Sequence, residues 1–143
     1  MGLVKRKMKK LLILLLLPTF IFSQKWEADI TLGTFHYNRY YMYELVKYDF
    51  NEFNPGIILY RNFNKFKIGG GVLINSYGRV GNVSGIGYDF NDKFSVLGGI
   101  ATGYEDTDID RKVYPMGMVT YKIGRFKVGA SPAFLIGMYN IKL

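Results

Sequence analysis

The 143-residue chain has no cysteine, a single histidine and only four prolines. The absence of cysteine excludes disulfides, thiolate catalysis, cysteine-ligated zinc and a lipid anchor on an N-terminal cysteine. Helical periodicity is also lacking beyond the first 23 residues, where no apolar spacing typical of a helix continues for more than a few positions. His36, as the only histidine, is the only side chain that can act as an imidazole base.

Residues 1–23 have the composition of a secretory signal peptide. Five basic residues lie between positions 5 and 10, an apolar run extends from Leu11 to Leu17, and Ser23 is a small residue before a cleavage site ahead of Gln24. An uncleaved membrane anchor is the alternative, but residues 11–22 fall short of the roughly 18–20 apolar residues that a spanning helix needs. We therefore expect residues 24–143 to form the mature protein.

The leader accounts for much of the positive charge. It contains five of the 19 basic residues and none of the 11 acidic ones, so residues 24–143 have 14 basic and 11 acidic residues and a net charge of +3. The remaining lysines and arginines lie mostly in predicted turns and form no continuous stripe. No nucleic-acid partner is predicted.

Eight short segments of the mature chain alternate apolar residues with small or polar ones, the period-2 pattern of β-strands. In the third segment, Phe66, Ile68 and Val72 share one face, whereas Lys67 and Leu73 share the other. The predicted strands cover about 26–37, 55–63, 66–76, 83–90, 94–104, 113–121, 126–130 and 133–143.

The connections between these segments predict their topology. Short connections containing Asn, Asp or Gly at 62–65, 90–93 and 122–125 alternate with longer ones at 38–54, 77–82 and 105–112. This alternation is typical of an eight-stranded antiparallel up-and-down transmembrane β-barrel, with short periplasmic turns and long extracellular loops. We expect an all-β fold located in the cell outer membrane. A soluble β-sandwich and a secreted soluble β-barrel that binds an apolar ligand are the alternatives.

Two polar residues are predicted to meet at the extracellular rim of this barrel. His36 ends the first strand and Ser76 ends the third, and both strands run from the periplasmic side to the extracellular side. Small and apolar residues are predicted to face the interior, where they either form a slot for a hydrocarbon or simply pack. These are Gly69, Gly71, Leu73, Leu97, Gly99, Ala101, Met116 and Met118.

Four stretches and two prolines of the sequence resemble the lipid A palmitoyltransferase (PagP) family, and together they are spread over most of the mature chain. They are Thr34-Phe35-His36, residues 50–56, Ile74-Asn75-Ser76-Tyr77, Ile86-Gly87-Tyr88, and the two prolines Pro115 and Pro132. Members of that family are eight-stranded outer-membrane barrels that move an acyl chain from a phospholipid to lipid A. The resemblance thus implies an acyltransferase that acts on membrane lipids, as a monomer and without a cofactor or metal.

The resemblance also assigns roles to individual residues. His36, Ser76 and Asn75 take the positions of the catalytic residues, and Gly87 takes that of the glycine at the floor of the acyl-chain pocket. Proline cannot donate to a sheet ladder, so Pro115 and Pro132 are predicted to weaken the barrel wall and form a lateral gate for lipid.

Two features depart from the family. Asn75 stands where the family has an aspartate, and asparagine can neither accept a proton nor carry a negative charge. The amphipathic helix that precedes the family's first strand also has no counterpart here. A non-enzymatic outer-membrane barrel with a structural, adhesion or lipid-binding role is therefore the alternative, in which His36 is an interfacial polar residue.

Overall fold

The computed structural model describes residues 25–143, so the predicted signal peptide, 1–23, lies outside the described residues. The described part of the chain is all β, with ten strands and no helix long and apolar enough to cross a membrane. The strands are β1 (Trp26–His36), β2 (Tyr40–Tyr43), β3 (Val46–Asp49), β4 (Gly56–Phe63), β5 (Phe66–Ile74), β6 (Val80–Asp89), β7 (Phe94–Ala101), β8 (Tyr114–Ile123), β9 (Phe126–Ala130) and β10 (Phe134–Lys142).

Eight of these strands form a closed antiparallel barrel in the order β1-β10-β9-β8-β7-β6-β5-β4, which β1 closes by pairing with β4. Each strand from β4 to β10 pairs with the next in the sequence, so the predicted eight-stranded up-and-down barrel is confirmed. The short connections 64–65, 90–93 and 124–125 lie at one end, which we call the turn end. Residues 37–55, 75–79, 102–113 and 131–133 lie at the other, which we call the long-loop end.

The first long connection differs from the prediction, because it contains a hairpin where we expected only a loop. Strands β2 and β3 pair as a separate two-stranded sheet through the turn at Glu44 and Leu45. Both of these residues have positive φ angles, 48° and 66°, as a type I′ hairpin turn requires.

The alternation of faces around the barrel follows the sequence pattern. In β5, Ile68 and Val72 are exposed on the outer surface while Lys67 is buried in the interior. The pattern in β1 shifts at an irregularity between Thr31 and Gly33 in the pairing with β10. A bulge of this kind inserts one residue and moves the following side chains to the opposite face. As a result, His36 is buried, whereas strict alternation from Glu27 and Asp29 would have placed it outside.

Candidate functional site

His36 lies in a stack of aromatic rings at the long-loop end. Its side chain is 5% exposed, and its ring stacks on Phe50 with 4.3 Å between ring centroids and 16° between ring planes. Phe134, at the start of β10, packs against it at 5.6 Å. The bulge in β1 turns the imidazole inward, and the β2–β3 hairpin leads the chain back to place Phe50 above it.

The stack continues across the mouth of the barrel. Phe50 contacts Tyr41 and Tyr77 at centroid distances of 5.2 and 5.4 Å, and Tyr77 contacts Tyr104 at 5.5 Å. We call His36, Tyr41, Phe50, Tyr77, Tyr104 and Phe134 the aromatic cap. Its rings come from three of the long connections and two strand ends, so it ties these three loops to one another over the barrel interior.

The imidazole of His36 has an unused polar atom. Nδ1 is buried and has no hydrogen-bond partner among the described residues. Buried polar atoms are nearly always paired, so an orphaned one calls for a specific explanation such as a catalytic or ligand-binding role.

Ser76 lies at the same end of the barrel as His36 and makes no hydrogen bond to the Nδ1 of His36 within residues 25–143. The link between them is the chain around Phe50, because the next residue, Asn51, donates its backbone N–H to the Ser76 carbonyl oxygen at 2.7 Å. Ser76 is half-buried and lines the interior cavity described below. His36 and Ser76 thus lie at the same end of the barrel, in segments that Phe50 and Asn51 connect. A catalytic pairing of the two side chains stays a prediction.

Asn75 is buried, and both the nitrogen and the oxygen of its amide form hydrogen bonds with the long loops. Its Nδ2 donates to the Gly103 carbonyl oxygen at 2.7 Å, and its Oδ1 accepts from the backbone N–H groups of Tyr77 and Arg79, both at 3.0 Å. An aspartate cannot make the first of these bonds, since it has no N–H to donate. The amide therefore suits this position structurally, and none of these bonds involves His36.

Below the cap lies an apolar cavity of about 100 Å³. A single water needs about 10–15 Å³ by the same measure, so the cavity has room for several groups the size of a methylene. Its lining includes Leu73, Leu97, Met116, Met118, Ile136 and Met138. The predicted inward-facing residues of β5, β7 and β8 therefore surround an apolar space.

Gly87 lies just beyond the lower end of this cavity. It is buried, and a Cβ built on it would come within 2.5 Å of the Leu97 Cδ2 atom and within 2.8 Å of the Lys67 Cγ atom. Leu97 lines the cavity, whereas Lys67 belongs to a charged group underneath. The glycine thus stands where the apolar interior ends.

Two strand pairings stop before they reach the long-loop end. The β8–β9 ladder covers only Val119–Ile123 of β8, so Tyr114 to Met118 have no strand partner on that side. Pro115 lies in this unpaired stretch and Pro132 in the connection that follows β9, and both are exposed. Of the two prolines predicted to weaken the wall, Pro115 thus lies within the opening between β8 and β9, and Pro132 follows β9 on its other side.

The second shortened pairing, between β1 and β4, is closed by Asn54, which sequence reasoning missed. The ladder ends at Thr31 and Gly56. Asn54 is 1% exposed; its carbonyl oxygen accepts from Thr31 Oγ1 at 2.6 Å, and its Nδ2 donates to the Ile74 carbonyl oxygen at 3.1 Å. Its position before Pro55, within the stretch 50–56, was the only signal in the sequence.

The turn end of the interior holds a charged group that sequence reasoning also missed. Lys127 Nζ donates to Asp29 Oδ2 at 2.6 Å and to Glu27 Oε1 at 2.9 Å, and Lys67 Nζ lies 2.7 Å from Asp89 Oδ1. Asn140 Nδ2 donates to both Glu27 and Asp29 at 2.6 Å. We call Glu27, Asp29, Lys67, Asp89, Lys127 and Asn140 the ionic cluster.

The acidic loop 105–110 packs on the aromatic cap. Tyr77 donates its hydroxyl to Asp108 Oδ1 at 2.6 Å, and burial together with this bond raises the pKa of Tyr77. Burial, with Tyr114 nearby, raises the pKa of Tyr104 to about 12. No group of three or more His, Cys, Asp or Glu side chains within residues 25–143 is arranged to hold a metal ion.

Comparison of the chain with family models and with curated proteins finds no match in either set.

Proposed function

We propose that the protein is an outer-membrane barrel that binds the acyl chain of a phospholipid in its interior and transfers it to a lipid acceptor such as lipid A. Membrane placement is supported by the outer surface, where Ile68, Val72 and Ile86 are 53%, 47% and 64% exposed. Aromatic rings gather near the turn end, as in the pairs Phe66–Tyr88 and Phe126–Tyr139. An apolar band bordered by aromatic residues is the surface that a lipid bilayer solvates.

The apolar cavity is the observation that carries the proposal. Its lining residues run from Ser76 at the long-loop end to Leu97 and Met118 deeper in the barrel, so the space extends along the barrel axis above Gly87. A linear hydrocarbon matches an apolar space of this kind. The unpaired stretch of β8 around Pro115 supports entry of the chain through the wall, since lipid would otherwise have to pass the aromatic cap.

The chemistry assigned to the rim is acyl transfer. The acceptor hydroxyl attacks the ester carbonyl of the phospholipid, the acyl C–O bond breaks, and the products are an acylated acceptor and a lysophospholipid. His36 takes the proton of the attacking hydroxyl and returns it to the leaving oxygen. Ser76 acts either as an intermediate nucleophile or as a hydroxyl that organises the transition state. The orphaned Nδ1 of His36 supports a proton-transfer role.

A second candidate is a barrel that binds lipid without reacting with it. The bonds of Asn75 favour it, because its amide is bonded to Gly103, Tyr77 and Arg79 and to no atom of His36. In this case the aromatic cap is purely a packing device over a lipid-filled interior.

Refolded protein in detergent, supplied with a labelled phospholipid and lipid A, separates the two candidates. His36→Phe retains a ring for the stack with Phe50 and removes the imidazole, so we expect folded protein without transfer. We expect the same loss in Ser76→Ala, with Ser95→Ala, which replaces a serine at the turn end that does not line the apolar cavity, as the control. Mass spectrometry of co-purified lipid reports on binding separately.

The outcomes are distinct. Transfer by the wild type that is lost in both variants supports the enzyme. A wild type that retains acyl lipid but transfers none, even after Asn75→Asp, favours the binding protein. A folded barrel that holds no lipid and transfers none would contradict both candidates.

A further inference from the structure

Charge is distributed unevenly along the barrel axis. The turn end has nine basic and four acidic residues, a net charge of +5, whereas the long-loop end has five basic and seven acidic residues, a net charge of −2 with His36 neutral. The counts cover 25–29, 61–67, 89–95, 120–127 and 140–143 for the turn end, and 36–54, 75–82, 102–114 and 131–134 for the other. The turn end is therefore a concentrated source of positive potential.

Within this end lies a polar cavity of about 320 Å³, separate from the apolar one. Six lysines line it, and they divide into two groups. Lys67 and Lys127 are buried and form ion pairs within the ionic cluster. The other four, Lys65, Lys93, Lys122 and Lys142, form no ion pair with an Asp or Glu among the described residues, and residues 1–24 contain neither amino acid.

Lys122 connects the two groups. Its Nζ donates to Asn140 Oδ1, the oxygen of the amide whose nitrogen is bonded to Glu27 and Asp29. An ammonium group has three donors, and this bond uses one of them. Lys122 therefore brings an ammonium to the inner wall of the cavity, held in place by the ionic cluster but neutralised by no carboxylate of its own.

We propose that this cavity binds a phosphate group, either inorganic phosphate or the phosphate of an anionic phospholipid head group. Lys65 and Lys93 from two turns, Lys122 from the end of β8 and Lys142 from the end of β10 converge on one space. With Lys67 and Lys127, the lysines that line this space outnumber its carboxylates, Glu27, Asp89 and Asp92, by six to three. A phosphate offers several oxygens that ammonium groups can contact from different sides, and its charge offsets theirs. The site lies at the opposite end from His36 and Ser76, so it is independent of the proposed acyl transfer.

The test uses the refolded full-length mature chain in neutral detergent micelles at constant ionic strength. Inorganic phosphate and a soluble short-chain phosphatidic acid are titrated separately, and amide NMR shifts of the turns around Asn64, Asp92 and Gly124 report binding. Lys93→Gln combined with Lys142→Gln removes two exposed ammonium groups without touching the ionic cluster. We expect this double variant to weaken binding by at least about tenfold. The matched control is Lys47→Gln combined with Lys112→Gln at the long-loop end, which should leave binding unchanged.

Binding of inorganic phosphate alone identifies the free ion as a sufficient ligand, whereas binding of the phosphatidic acid alone identifies a head-group site. Binding of either ligand supports the proposal if it is weakened in the turn-end variant, which combines Lys93→Gln with Lys142→Gln. Shifts that chloride reproduces at the same ionic strength, or that the turn-end variant retains in full, would overturn it.

Discussion

The two ends of the barrel interior differ in polarity, although the same strands form both of them. At the turn end the interior holds buried ion pairs, such as those of Lys127 with Asp29 and Glu27, beside a polar cavity. At the long-loop end the interior is apolar and partly empty, and His36 keeps a buried nitrogen without a partner. Strand β10 contributes Asn140 to the first region and Met138 to the second, so the division runs along the barrel axis.

This difference in polarity indicates that the two ends of the interior have different roles. Paired buried charges fix one arrangement, because a displacement leaves a buried charge without its partner. An apolar cavity lined by methionine and leucine side chains has no such constraint and can adapt to a guest. The ionic cluster is thus suited to hold the strands together beside the polar cavity, and the long-loop end is suited to accommodate an apolar ligand.

The largest expected effect comes from breaking the ionic cluster. Lys127→Met retains most of the side-chain volume but leaves Asp29 with Asn140 as its only remaining partner in the cluster. We expect a loss of about 3–5 kcal/mol in the free energy of unfolding, the usual cost of stranding a buried charge. Urea unfolding of the refolded barrel in micelles measures it.

A double-mutant cycle separates the pair from its neighbours. Adding Asp29→Asn should recover part of the loss, because the stranded charge is then removed. Lys93→Met, at an exposed turn position, should change stability by less than about 0.5 kcal/mol. Equal effects of Lys127→Met and Lys93→Met would show that the cluster contributes nothing to stability.

The sequence was sufficient for the barrel but not for either end of its interior. Period-2 alternation and the lengths of the connections are local signals, and they predicted the eight strands and the inward faces of β5, β7 and β8. The ionic cluster joins Glu27 to Lys127, 100 positions apart, through the closure of β1 on β10. The local alternation of residues cannot predict which side chains pair when they are so far apart in the sequence.

The surroundings of His36 escaped prediction for a related reason. A bulge in β1 moves it to the inner face, and bulges are set by the register with the neighbouring strand. Phe50, which covers it, follows a hairpin in a segment interpreted as a loop. The role of Asn75 depends on Gly103 in another loop, so its identity alone suggested a damaged catalytic group instead of a loop anchor.

A smaller effect is expected where the two regions meet. Gly87→Ala places a Cβ against Leu97 and Lys67, which must move. We expect a loss of about 1–3 kcal/mol, typical of overpacking, and a preference for shorter acyl chains as Leu97 is pushed into the cavity. Competition between lipids of different chain length, read by mass spectrometry, measures the second effect.

Gly137→Ala is the matched control for this prediction. It lies next to Met138 in β10 but does not line the apolar cavity, and a Cβ there would meet only the Gly33 carbonyl oxygen, at 4.0 Å. The control should change neither stability nor chain-length preference appreciably. An unchanged preference in folded Gly87→Ala would mean that the acyl chain does not reach the boundary between the two regions.

The smallest effect is expected at the aromatic cap. Tyr77→Phe keeps the ring contacts with Phe50 and Tyr104 but loses the hydroxyl bond to Asp108, worth about 0.5–1.5 kcal/mol. The pKa of Tyr77 is raised in the folded protein above its usual value of 10.0. The stabilisation is therefore complete below pH 10 and declines as the pH rises, since the unfolded chain then releases a proton that the folded chain retains.

Urea unfolding at pH 8 and at pH 11 should show the wild type losing its advantage in the free energy of unfolding over Tyr77→Phe. If the advantage of the wild type persists at pH 11, the Tyr77 hydroxyl ionises equally in the folded and the unfolded chain. The hydrogen bond to Asp108 would then not raise the pKa of Tyr77.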